Sequence, residues 1–102
     1  MTRIGDESLA RFDHGRKSAI GTTAVQLTTT SVHAPRGVQI KASVANSGTV
    51  YVGNSDVTAG SADASDGFPL GAGDALFVPI DDPSKVYLVG TAAGQIVFFV
   101  VV

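Results

Sequence analysis

Residues 50–102, VYVGNSDVTAGSADASDGFPLGAGDALFVPIDDPSKVYLVGTAAGQIVFFVVV, decide the fold class. Valines, threonines and aromatics arrive in short bursts, and Gly53, Gly60, Gly67, Gly71, Gly73, Gly90 and Gly94 break them up. Bursts of β-formers bounded by glycine and aspartate turns predict a compact antiparallel β domain. The final predicted strand, 95–102, does not alternate, because Ile96 to Val102 is apolar on both faces. One face of such a strand packs inside a sandwich, while the other needs a cover, for which a subunit contact is natural. Left bare, it is an aggregation hazard. An oligomer is therefore expected, with Phe99 or Val101 facing outward as the subunit interface.

Working back from that stretch, Val38, Ile40, Ala42 and Val44 alternate with Gln39, Lys41, Ser43 and Ala45, the pattern of a half-buried strand. Asn46-Ser47-Gly48 is a turn signal, so this strand and the one at 49–53 are expected to form a hairpin. Further strands are predicted at 24–30, 74–80 and 85–90, with a short one around 56–59 inside the polar loop 54–67. Pro79 implies an edge position or a strand end. Pro35-Arg36-Gly37, Gly71-Ala72-Gly73, Asp81-Asp82-Pro83-Ser84 and Ala92-Ala93-Gly94 are read as turns.

The first 17 residues hold seven of the sixteen Lys, Arg, Asp and Glu residues of the chain. Their apolar members, Ile4, Leu9 and Phe12, follow neither a helical nor a strand period. The predicted organisation is an extended N-terminal arm, 1–17, followed by a β-sandwich domain, 18–102. As an arm it either frays or orders on a neighbouring subunit, with the three apolar residues as anchors.

A chain of 102 residues is one domain with a small core. No cysteine is present, which excludes a disulfide framework, a thiolate nucleophile and a zinc ribbon. A net charge of −2 gives no electrostatic reason to expect nucleic acid. The opening residues hold no apolar signal-peptide core, and the run Ile96 to Val102 is too short to span a bilayer, so a soluble compartment and no membrane are expected.

Chemistry-bearing residues are sparse. His14 and His33 have no ligand-like partner at useful spacing, and nothing resembles a nucleophile elbow. No lysine or helix start follows Gly71-Ala72-Gly73, so it is a turn rather than a phosphate loop. Asp63, Asp66, Asp81 and Asp82 suit either a calcium loop or, more simply, the turns that favour aspartate. Tyr51 and Tyr87 suit a sugar-stacking platform or a plain sheet surface. The expectation is a protein that is not an enzyme and holds no metal or cofactor.

The run Val50-Tyr51-Val52-Gly53-Asn54-Ser55-Asp56-Val57-Thr58, then Gly67-Phe68-Pro69-Leu70, the turn from Gly71 to Asp74, and Asp81-Asp82-Pro83-Ser84-Lys85-Val86-Tyr87-Leu88-Val89 resemble small β-sandwich proteins of tailed-bacteriophage virions. Head decoration (cement) proteins are among these. The resemblance implies a jelly-roll-like sandwich, trimeric, seated on the capsid surface of the virion after assembly in the host cytoplasm. Its partner would be the major capsid protein, and its function to bind and stabilise the shell. On that reading Ile4, Leu9 and Phe12 insert between capsid subunits, while Arg3, Arg11, Arg16 and Lys17 pair with acidic rims. The alternative is a tail- or fibre-associated module that binds a host-surface glycan or joins tail components.

Overall fold

The computed structural model describes residues 13–102. Eight strands follow in chain order: β1 (Asp13–Ile20), β2 (Val25–Gln26), β3 (Val38–Ala42), β4 (Val50–Gly53), β5 (Phe68–Leu70), β6 (Ala75–Val78), β7 (Tyr87–Gly90) and β8 (Gln95–Val101). A single 3-10 turn, Pro83–Lys85, precedes β7, and no α-helix occurs among the described residues. Sheet I has the order β1-β8-β3-β6 and sheet II the order β2-β7-β4-β5. All strand pairings are antiparallel. The pairs β1·β8, β2·β7, β3·β6 and β4·β5 are the rungs of one long ribbon folded over into two facing layers.

The expected all-β sandwich is therefore present, and its core lies between the layers. Ile20, Val38, Ile40, Ala42, Val97 and Val101 come from sheet I, and Val50, Val52, Leu70 and Leu88 from sheet II; together they form one buried cluster. Leu27, beside β2, joins it through a backbone bond from its N–H to the Val86 carbonyl at 2.8 Å. Each such aliphatic side chain contributes roughly 1.5–3 kcal/mol by leaving water.

The expected hairpin between the strands at 38–44 and 49–53 does not form, because β3 lies in sheet I and β4 in sheet II. Both strands point their apolar residues at the same core from opposite sides, so Asn46-Ser47-Gly48 carries the chain across the sandwich. Side chains hold that crossing. Asn46 exchanges two 2.9 Å bonds with the backbone N–H and carbonyl of Ile96. Gln95, only 1% exposed, accepts from the Gly48 N–H at 2.9 Å. Its amide nitrogen donates to the Ala93 carbonyl at 2.9 Å and to Ser47 Oγ at 3.2 Å. This clasp ties the crossover to the first residues of β8.

Four further expectations are corrected. The strand β1 reaches back to Asp13, so residues 13–17, including Arg16 and Lys17, belong to sheet I rather than to an arm. Arg3, Ile4, Leu9, Arg11 and Phe12 lie outside the described residues. Phe99 and Val101 do not face outward: their register partners are Ile40 and Val38, both buried. Val101 is 1% exposed and Phe99 packs against the core. The outward set on β8 is Ile96, Phe98 and Val100. Finally, β5 is a strand where none was predicted, with Pro69 at the edge of sheet II, where a missing N–H costs no ladder bond. The predicted strand at 56–59 is reduced to one bridge between Thr58 and Asp66.

Replacing Gln95 by Leu takes this partner from the Gly48 N–H and the Ala93 carbonyl. We expect a loss of about 1–2 kcal/mol in urea unfolding, with an unchanged m-value. Asn46→Ala, which frees the backbone groups of Ile96, acts in the same direction.

Candidate functional site

The two sheets differ in what covers their outer faces. On sheet II the loop 54–67 folds back over the strands. Val57, 4% exposed, sits over Gly53 and Gly67, and a Cβ at Gly67 would come within 2.5 Å of its methyl group. Glycine at both positions makes room for that side chain. Val89, on the same side of the sheet, is also buried at 4%. Tyr51 and Tyr87 share this face and are half-buried.

Sheet I has no such lid among the described residues. Its register sets two rows of outward side chains across the strands. One row runs His14 (β1), Val100 (β8), Gln39 (β3) and Phe77 (β6). The next runs Arg16, Phe98, Lys41 and Ala75 in the same strand order. Phe98 is 47% exposed and Phe77 43%, while Arg16 and Lys41 stand exposed on either side of Phe98. A shallow depression of about 400 Å³ opens here, with Phe98, Val100, Gln39 and Lys41 on its walls. The surface is apolar at its centre and cationic beside it.

A second cleft, of about 370 Å³, lies between β1 and the segment around 27–32. Leu27, Val32, Phe99 and Val101 line it, with Asp13 and Arg16 also on its wall. Gly15 faces Phe99 across the strands, and a Cβ there would come within 2.6 Å of the ring. Lys17 takes the inward parity opposite Val97 and is half-buried at the sheet edge.

The remaining sequence candidates are scattered. His33 is exposed in the loop before Val38, far in sequence from His14 on sheet I. Among the described residues no group of three or more His, Asp or Glu side chains is gathered as a metal site would need. Asp66 closes its own loop, accepting from Thr58 Oγ1 at 2.6 Å, Ala62 N–H at 2.8 Å and Asp63 N–H at 2.9 Å. The Thr58 hydroxyl and these amides hold its carboxyl below the usual range. Asp81 pairs with Lys85 at 2.9 Å, an exposed ion pair worth little to stability. Asp82 caps the 3-10 turn, accepting from Ser84 N–H at 2.9 Å and from the Ser31 hydroxyl. Each of these three carboxylates is engaged, Asp66 and Asp81 within their own loop or turn and Asp82 also by Ser31 from another loop.

Which residues form the outer face of sheet I was not legible in the sequence, because the run Ile96 to Val101 is apolar throughout and gives no parity. The one available signal was Lys41 and Gln39 alternating out of β3. In comparisons with known proteins, no family model matches the chain, and no curated protein or solved structure matches it.

The Ser31 hydroxyl, and then the Ser84 N–H, pull the Asp82 carboxyl down to about 2. A carboxyl lowered on folding adds stability that is complete above its unfolded value and disappears as pH falls through its folded value. Thermal melts of the wild type should therefore lose stability between about pH 4 and pH 2. Asp82→Asn should lower the melting temperature at pH 7 and flatten part of that acid limb, while Asp66 and Asp81 preserve the rest of the slope.

Proposed function

We propose that this chain is a structural protein of a tailed-bacteriophage virion, a decoration protein that binds the major capsid protein and stabilises the shell. The observation that carries this reading is the outer face of sheet I, where Ile96, Phe98, Val100 and Phe77 present apolar surface that the described fold does not cover. The strand order supports a jelly-roll wrap of an eight-strand ribbon, an architecture that viral capsid and lectin domains share. Fold alone does not choose between these, so the weight rests on the exposed face.

Four strands at about 4.8 Å spacing, each roughly 20 Å long, give the face a footprint on the order of 400 Å². A stable two-body complex needs about 800 Å² per partner. A contact this small gains strength by repetition. A homotrimer that turns three such faces toward a lattice multiplies a modest contact without new chemistry. Val44 at 76% and Phe68 at 55% exposure lie away from this face and leave apolar surface for contact among copies. The segment 1–12, with Ile4, Leu9 and Phe12 as anchors and Arg3 and Arg11 as charges, is the second proposed shell contact.

Co-sedimentation with assembled shells of the phage that carries the gene tests this. The full chain should pellet with shells, and Phe98→Ser should weaken binding about ten-fold or more while leaving the melting temperature unchanged. Light scattering should give the mass of a trimer, and a monomer at micromolar concentration would contradict that part. Binding to a host-surface glycan array, with no affinity for shells, would replace this function with the receptor-binding alternative.

A further inference from the structure

Across the middle of sheet I the register sets Arg16, Phe98 and Lys41 side by side on one face, from β1, β8 and β3. Neither outward row of this sheet contains a carboxylate. We infer that this face docks on a protein surface of complementary pattern: an apolar patch over Phe98 flanked by two carboxylates, one opposite each cation. Two strand spacings separate Arg16 from Lys41, so those carboxylates stand about 10 Å apart. The inference rests on the shell-binding function and names what the shell must present.

Charge decides against a second copy docked through the same face. Two copies stacked face to face would bring the Arg16 and Lys41 cations of each onto a surface that holds no carboxylate. The carboxylates of Asp66, Asp81 and Asp82 lie in loops and are engaged there, by Thr58, Lys85 and Ser31. Nucleic acid is the other class that an aromatic, cationic sheet can bind, by stacking bases on exposed rings along a positive groove. Here only two such cations flank one ring, with no run of positive charge to follow a phosphate backbone, and the chain carries a net charge of −2. A carboxylate-bearing protein surface fits the face better.

The test compares the full chain with Arg16→Glu, Lys41→Glu, the double reversal, and the conservative pair Arg16→Lys and Lys41→Arg, binding the same assembled shells over a series of salt concentrations. Both changed positions are exposed strand sites, and unchanged melting curves verify folding. Each single reversal should weaken binding about five- to ten-fold and the double about fifty-fold, with a flattened salt dependence. The conservative pair should bind within about two-fold of wild type. If wild type binds shells and the reversals bind equally well, the charge pattern is not read and this inference falls while shell binding stands. If wild type ignores shells at every salt concentration, the shell function itself falls and this inference with it. Loss of the oligomer in Phe98→Ser or in the double reversal would make the face a self-association surface and overturn the inference. Tight binding of a labelled single-stranded oligothymidine, abolished by Phe98→Ser, would overturn it in favour of nucleic acid.

Discussion

The parity of β8 governs the rest of this structure. Six of its seven residues are apolar, so hydrophobicity alone would accept either face inward, and a slip of one residue would exchange the two sets. Gln95 removes that ambiguity. Its amide is the partner of the Gly48 N–H, the Ala93 carbonyl and the Ser47 hydroxyl, and these groups are reached only when Gln95 points inward. Val97, Phe99 and Val101 then follow it to the inner side, and Ile96, Phe98 and Val100 are left outside. A buried polar residue thus determines which apolar residues remain exposed.

The edges and faces of the sandwich are finished differently. At one edge of sheet I, β6 ends at Val78, just before Pro79, and at the other β1 carries Arg16, Lys17 and a register shift between Lys17 and Ile20. Ala19 takes a left-handed φ of 57° in that irregularity, which bends the strand away from a regular pairing edge. At the edges of sheet II, β2 has two residues and β5 contains Pro69. Charges, a bulge, short strands and proline are the usual means of discouraging edge-to-edge pairing. The outer face of sheet II has Val57 as its lid. Of the two outer faces, that leaves the one of sheet I as the face on which Phe98 and Phe77 stay exposed, a choice that makes sense if it is used.

Much of the fold was legible because alternation and turn chemistry speak directly. Val38, Ile40 and Ala42 announced their strand and its inner face, and Asp81-Asp82-Pro83-Ser84 announced a turn, which takes 3-10 form from Pro83 to Lys85. Two strands were hidden. The residues of β1 are mostly polar since it is an edge strand whose Gly15 yields its place to Phe99, and β5 contains a proline. The crossover at Asn46-Ser47-Gly48 looked like a hairpin because both use the same turn residues. What distinguishes them is whether the flanking strands bond to each other or to distant strands, and here Ile96 and Gln95, some fifty residues on, supply the partners. The candidate face was half legible. Its apolar strand was identified as needing a cover, but Phe99 and Val101 were set outward because nothing local reveals that a polar Gln95 is the inward residue.

The central claim is that the outer face of sheet I is the surface the protein uses. Hydroxyl-radical footprinting of free and shell-bound protein tests it residue by residue. Phe98 and Phe77 should lose reactivity on binding, while Tyr51 and Tyr87, on the opposite side of the sandwich, should keep theirs. Protection of Tyr51 and Tyr87 with Phe98 and Phe77 still reactive would contradict the account.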